Sequence, residues 1–482
     1  MEEGIGGLRH LYMTVFLSGF ASLMVIPAIT DITMLALCPG QDDALLPFTS
    51  LVFNKRVLQN SDLVLQYKCI LFYLNNFSSS KMISIMNFFI LLFWIIGLGT
   101  VVMTPLIGNL SDVYGRKSLL TVPLTLSIIP LVILAYSRET NFFYAYFALR
   151  TVTAMVCEGS INCLTLAYVA DTVSERERVS AFGILAGFLS ASFVCGTLAA
   201  RFLSTASTFQ VAAFASMLAT IYMRVFLKES LPARDGTLRQ PILKGGSDAI
   251  EEDGYSPETI EVFKKVPSAG DLICLLRSSK TLSQAAIVSF FQSLAEGGLQ
   301  ASLMYFLKAR FHFNKNQFAD LMLIVGISGT VSQLLFMPML APVIGEEKLL
   351  SIGLLVGSFN MFLNSISWAV WVPYAATLFS AFGFLVQPSI RSIASKQVGP
   401  DEQGKAQGCI SGISSFANIV SPLIFSSLTA LFLSEEAPFY FPGFSIMCIG
   451  LAMIIAFVQS TMIRASPVPS HKISSIISVE ST

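Results

Sequence analysis

Four ionisable residues stand inside stretches otherwise built from apolar side chains: Asp31, Arg150, Glu158 and Glu296. A charge surrounded by hydrocarbon is costly, so its default reading is functional. Arg150 and Glu158 are eight residues apart in "RTVTAMVCE", about 2.2 helical turns, which puts them on roughly one face of a helix. A guanidinium there can hold a carboxylate, Glu158 or Asp31, in its charged form. Protonation of that carboxylate would break the pair and either release a bound solute or let helices move. The plainer alternative is a static pair that fixes helix register. Asp31, after Pro27, joins this chemistry or caps a helix end at headgroup level. Glu296, in "SLAEGGLQ", is expected at a central cavity. Asn162, Gln292, Gln300, Gln387 and Asn418 would line that cavity or hydrogen-bond between helices.

A second constellation is the polar island "GNLSDVYGRKSLL" at 108–120. Gly108 and Gly115 permit a tight reversal and close helix contact. Arg116 and Lys117 suit a headgroup region. Asp112 is unexpected beside them, and it needs a partner: a cation or the N-terminus of a helix.

Enzyme chemistry finds little support. The three histidines, His10, His312 and His471, are far apart in sequence, and no GxSxG, HExxH or P-loop pattern occurs. The eight cysteines show no CxxC spacing, so neither a metal site nor a disulfide framework is expected. No cofactor is expected. Formal net charge is zero, so nothing points to nucleic acid.

The elements that position these residues follow from composition. Of 482 residues, 54% are hydrophobic and 12% charged, against about 25% charged in soluble domains. The solvent implied is lipid. A spanning helix needs about 20 mostly apolar residues. Twelve stretches qualify: 9–31, 84–107, 118–136, 142–167, 180–203, 208–227, 284–307, 318–343, 349–368, 371–392, 406–432 and 441–463. The first reads as a retained span rather than a signal peptide. Residues 228–281, rich in charge, Gly, Pro and Ser, read as a linker, with a short amphipathic helix possible in principle near 258–277. The expected organisation is therefore a six-helix bundle over 1–227, the linker 228–281, a second six-helix bundle over 282–465 and a polar tail over 466–482. Lysine and arginine placement, including Arg9, Arg116, Lys117, Arg176, Arg178, Lys396 and Lys405, puts the termini and linker in the cytosol. "DTVSERERVSAFGILAG" at 171–187 and "KQVGPDEQGKAQGCISG" at 396–412 align at an offset of 225, pairing Glu177 with Glu402, Ala181 with Ala406, Gly183 with Gly408 and Gly187 with Gly412. That repeat places the fifth and eleventh spans in equivalent positions.

The pattern Gly108-x-Leu110-x-Asp112-x-x-Gly115-Arg116-Lys117 resembles the cytoplasmic signature of the major facilitator superfamily. "RSIASKQVGPDEQGKAQGCISGISSFANIVSPLIF" and "NFFYAYFALRTVTAMVCEGSINCLTLAYVAD" resemble its tetracycline-resistance-like and hippocampus-abundant-transcript-like group. The resemblance covers about 1–38 and 97–465. It implies an all-α membrane protein with twelve transmembrane helices in two pseudo-symmetric bundles. It implies secondary active transport of a small solute by alternating access, with proton coupling as one option, in a monomer embedded in the bilayer of the plasma membrane or a vacuolar or other endomembrane. It further implies that Asp112 approaches the start of the eleventh helix near Gly404 to Gln407, sharing charge with Arg116 and Arg178. Two departures stand out. "RTVTAM" lacks the glycine expected after Arg150, and "LAPVIGEEKLL" in the second half keeps Gly345 and Lys348 without the full signature. The rival readings are a transceptor or scaffold without flux and, further off, a polytopic enzyme. Residues 41–86 fall outside the resemblance. They read either as a retained intron or variant isoform, or as an external loop with Asn76 in a glycosylation sequon.

Overall fold

In a computed structural model, residues 2–37, 80–230, 279–313, 315–434 and 437–463 are described. Asn76, the possible helix near 258–277 and the tail 466–482 lie outside them, as does the side chain of Asp31. Twelve helical spans are present among the described residues. The first six are α1 (Glu2–Leu37), α2 (Ser80–Tyr114), α3 (Arg116–Leu126, continued as Ile128–Tyr136), α4 (Thr140–Thr172), α5 (Arg178–Phe202) and α6 (Thr205–Phe226). The second six are α7 (Lys280–Phe311), α8 (Lys315–Val331, a π-turn Ser332–Phe336, then Met337–Ile344), α9 (Glu346–Ser365), α10 (Trp371–Gly383 and Val386–Ser395), α11 (Gln403–Leu433) and α12 (Phe444–Thr461).

Nine of these are long and apolar enough to cross a membrane by composition alone. The other three are α7, α9 and α10. α7 carries Lys280, Glu296, Lys308 and Arg310, α9 opens on Glu346, Glu347 and Lys348, and α10 is interrupted after Gly383. Their place in the bundle comes from packing as much as hydropathy. In hydrocarbon every backbone group must be satisfied within the helix. Hydroxyls therefore turn inward: Thr100, Thr121, Thr165 and Thr172 each donate to the carbonyl four residues back at 2.7–2.9 Å. Ser204 and Ser279 cap α6 and α7 by accepting from Ser207 N at 3.3 Å and Leu282 N at 3.4 Å. His312, at φ 54°, ends α7 in a left-handed turn.

The polar island differs from its expected form. Residues 108–114 continue α2, so the connection to α3 is Gly115 alone. The chain reverses there at φ 93° and ψ 150°, a conformation open in practice only to glycine.

The two bundles meet along two seams: α2 and α4 on α11, and α5 on α8 and α10. Gly408 and Gly412 face Pro105 of α2, whereas Gly183 and Gly187 face Met337 and Leu334 of α8. The residues paired by the sequence repeat thus occupy equivalent seams, where missing side chains let the helices approach closely.

Candidate functional site

One end of the molecule holds a buried charge cluster built on the α2–α3 reversal. Asp112, two residues before the end of α2, bridges the bundles. Its Oδ1 accepts from Gly404 N and its Oδ2 from Lys405 N, both at 2.9 Å. A carboxylate at the first N–H groups of α11 is satisfied by hydrogen bonds and by the helix dipole together. Arg116 stands one turn on, with Nη2 2.5 Å from Asp112 Oδ1 and Nε 2.8 Å from Asp171 Oδ2. It also donates to Ser111 Oγ. The side chain of Arg116 is 1% exposed, that of Asp112 8% and that of Asp171 4%, so this is an interior ion cluster rather than a surface one. Leu110, two residues before Asp112, is half-buried, and Lys117 donates its backbone N–H to Glu229. Gly108 lies against Gly404: a Cβ on either would overlap the other's carbonyl oxygen. Removing both side chains lets Asp112 reach the helix start.

The start of α3 is closed by Glu229, just after α6. Its Oε1 accepts from Arg116 N at 2.7 Å, and its Oε2 accepts from Lys117 N at 3.2 Å. Ser230 then donates to Asp171 Oδ2 at 3.1 Å. The first residues of the expected linker are therefore tied into the cluster.

Arg178 does not join Asp112. From the first turn of α5 it reaches across the other seam, donating through Nη1 to Ser395 O at 3.3 Å and Ser395 Oγ at 3.2 Å. In the second half, Glu346 pairs with Lys396 at 2.8 Å and accepts from Ser392 Oγ at 2.8 Å. Arg391, buried on α10, donates to Gln407 O at 3.0 Å and Ser411 Oγ at 2.9 Å. It braces the first turns of α11.

Arg150 and Glu158 share a face of α4, with Nη2 3.9 Å from Oε1. Arg150 also donates to Tyr146 OH at 3.1 Å. Their side chains are 33% and 25% exposed, so both retain access to whatever fills the space beside them. Gln292 is buried, and its Oε1 accepts no hydrogen bond. Glu296, Gln300, Gln387 and Asn418 are half-buried, while Asn162 is exposed. Asn418 Oδ1 lies 3.3 Å from where a Cβ of Gly297 would stand, which brings it beside the Glu296 turn. A further polar contact crosses the seam at mid-span: Ser190 of α5 donates to Gln333 Oε1 at 2.7 Å, on the π-turn of α8. Such turns recur at functional positions.

Sequence reading did not single out Asp171, Glu229, Arg391 or Gln333. Asp171 and Glu229 each close a span, so each looked like an ordinary boundary residue. A carboxylate within the offset-225 repeat was the available signal for Asp171. Among the described residues, no group of three or more His, Cys, Asp or Glu side chains could hold a metal ion.

A family model described as Major Facilitator Superfamily matches residues 11–270, more than half of the chain. The human hippocampus abundant transcript-like protein 1 is 26% identical over 349 residues, covering 71% of this chain and 64% of that protein. The mouse hippocampus abundant transcript 1 protein is 27% identical over 340 residues, covering 70% and 64%. The chain thus spans a little under two thirds of these relatives. The class B tetracycline resistance protein of Escherichia coli is 22% identical over 392 residues, covering 79% and 89%. Among solved structures, the human organic anion transporter MFSD10 aligns with a TM-score of 0.70 at 17% identity, covering 95% of this chain and 99% of that one. The Escherichia coli fucose:proton symporter FucP aligns at 0.60 and 12%, covering 95% and 98%. These likenesses establish the fold.

Proposed function

The chain belongs to the Major Facilitator Superfamily, and from that membership we propose that it carries a small solute across the membrane by alternating access. The observation that carries the reading is the Asp112 contact. A carboxylate on α2 holds the first turn of α11 through two hydrogen bonds at 2.9 Å, so one end of the bundle interface is closed by bonds that can be broken and remade. Arg116 pairs with Asp112 and orients it, Asp171 and Ser111 keep Arg116 in place, and Glu229 fixes the turn from which Arg116 projects. The opposite ends of the bundles would then part to admit solute. The lysine and arginine bias assigns the closed end, the termini and the linker to the cytosol.

The solute site belongs near mid-membrane between the bundles, where Arg150, Glu158, Glu296 and Gln292 supply charge and hydrogen-bonding groups. Proton coupling would run through Glu158: its protonation releases Arg150, and a proton and a solute compete for that freedom. Relatives named for tetracycline resistance and a fold neighbour named a fucose:proton symporter fit such a cycle. They leave the solute of this chain open.

The test is flux into sealed vesicles containing the purified full-length protein. Asp112→Asn keeps the shape of the side chain and weakens its hold on α11 and Arg116. Flux per folded protein should fall by about tenfold, the effect of roughly 1.4 kcal/mol, with the folded amount of each variant measured alongside. Normal flux in Asp112→Asn would remove the gating role. No flux of any solute by the wild-type protein would favour a transceptor or scaffold.

A further inference from the structure

Three arginines are buried among the described residues: Arg116, Arg178 and Arg391. Arg116 shows how a buried guanidinium is satisfied. One edge of it, Nε and Nη2, holds Asp171 with two prongs at 2.8 Å and 3.5 Å, the geometry that fits this planar fork to a carboxylate. The same edge of Arg391 faces no carboxylate. Every hydrogen bond from the Arg391 side chain leaves through Nη1: to Gln407 O at 3.0 Å, Gln407 Oε1 at 3.5 Å and Ser411 Oγ at 2.9 Å. Nε and Nη2 have no partner among the described residues. The ionisable groups within electrostatic reach are the thiols of Cys163 and Cys409, not carboxylates. Nor are the two nitrogens sealed in. The buried polar atoms that lack both a partner and solvent contact are those of Thr104, Ser160, Gln292 and Ser426, and 6% of Arg391 remains exposed.

A buried charge without a partner is costly. Bracing α10 against α11 does not require one, because a glutamine could donate to the same two residues while staying neutral. The cost points to a use for the charge, and the position of Arg391 indicates which. Gln407 and Ser411 lie three and seven residues beyond Gly404, whose N–H is held by Asp112. That is about 5–10 Å along α11. Cys163 of α4, in the other bundle, has its Sγ 3.7 Å from Gly404 O. Arg391 and α4 therefore flank the same first turns of α11, just inside the closed end.

We propose that Arg391 is an anion-binding residue on the solute path, its Nε–Nη2 edge receiving a carboxylate or phosphate group of the solute between the mid-membrane site and the closed end. The solute class that follows is a small organic anion. The path rests on the transport reading; binding of an anion at Arg391 does not.

The test is thermal unfolding of the purified full-length protein in detergent, titrated with inorganic phosphate against chloride at matched ionic strength. Phosphate should raise the wild-type midpoint saturably. Arg391→Gln keeps a donor for α11 and removes the charge. It should weaken the apparent phosphate affinity by about tenfold or more, the effect of one charge-assisted hydrogen bond. Without phosphate it should unfold no lower than the wild type, because a charge without a partner is gone. Arg391→Lys keeps the charge but not the two-pronged edge, so its affinity should fall between the two, an order that a mere brace would not produce. The same phosphate response in all three proteins, or none in the wild type, overturns the proposal. Arg391→Gln that unfolds lower with its phosphate affinity unchanged would make Arg391 a brace and nothing more. Competition with phosphate by added phosphatidylglycerol would assign the edge to a lipid headgroup and overturn the solute reading. Wild-type protein that moves no solute in vesicles yet keeps the phosphate response would remove the transport reading and leave the anion site standing.

Discussion

Arg150 and Arg116 are both cations on membrane helices, yet their surroundings differ. Arg116 has two carboxylates within 2.8 Å and almost no exposure. Removing one partner from such a cluster strands a buried charge and costs about 3–5 kcal/mol. Arg150 stands 3.9 Å from Glu158, and a quarter or more of each side chain is open. A loose, partly solvated pair is worth about 1 kcal/mol or less. A pair that a proton must break on every cycle should be of this second kind. Glu158→Gln removes the titrating group while keeping its shape. Uptake by this variant should lose the pH dependence that the wild type shows, and Arg150→Ala should depress uptake at every pH. The check is initial uptake rate against pH in vesicles of matched internal and external buffer. A pH profile identical to wild type in Glu158→Gln would move proton coupling to another carboxylate, with Glu296 the next to test.

At the scale of elements, the two glycine reversals, Gly115 (φ 93°) before α3 and Gly345 (φ 85°) before α9, should respond differently to the same substitution. Both occupy a region that non-glycine residues adopt at a cost of about 1–3 kcal/mol. At Gly115 an added Cβ would also come within 2.6 Å of Glu229 Oε2, whereas at Gly345 it would meet nothing within 4 Å. Gly115→Ala should therefore lower the thermal unfolding midpoint further than Gly345→Ala, because it also displaces the carboxylate that closes α3. Equal shifts in detergent would show that backbone strain is the whole effect and that Glu229 contributes nothing to the turn.

The same elements show what a sequence makes legible. The spans could be read because hydrocarbon imposes long apolar runs, and the signature could be read because its residues are close together in the chain. The start of α11 could be named as Asp112's partner only through family resemblance. No local pattern links positions 292 residues apart. Glu229 and Asp171 escaped notice for the same reason: each acts on Arg116 across 113 and 55 residues. The helical course of 108–114 was hidden because polar residues at a membrane boundary resemble a loop, and only packing on α11 shows that α2 continues through them. The family resemblance puts Arg178 beside Asp112, but the chain sends it to the other seam.

For the whole molecule, the proposed closure at one end and the proposed solute site at mid-membrane make one prediction together. A solute that binds only the folded protein stabilises it by mass action, about 2.7 kcal/mol at a hundred times its dissociation constant. A panel of sugars, organic anions, cations and amphiphilic drugs can therefore be screened by thermal unfolding of the purified protein, with Arg150→Ala run beside the wild type. If the site uses Arg150, the stabilising solutes should carry an anionic or strongly accepting group, and their effect should vanish in Arg150→Ala. That variant should itself unfold a little below the wild type, since it loses the loose pair with Glu158 and the hydrogen bond to Tyr146. A solute that stabilises both proteins equally would place its site away from Arg150 and shift attention to Gln292, whose Oε1 is buried without a donor. The gate adds a second condition. A solute that enters from the open end should bind at least as well when the opposite end is closed, so Asp112→Asn should weaken stabilisation by that solute without abolishing it. Abolition would make Asp112 part of the binding site, a role its place at the end of α2 and its two bonds to α11 do not suggest.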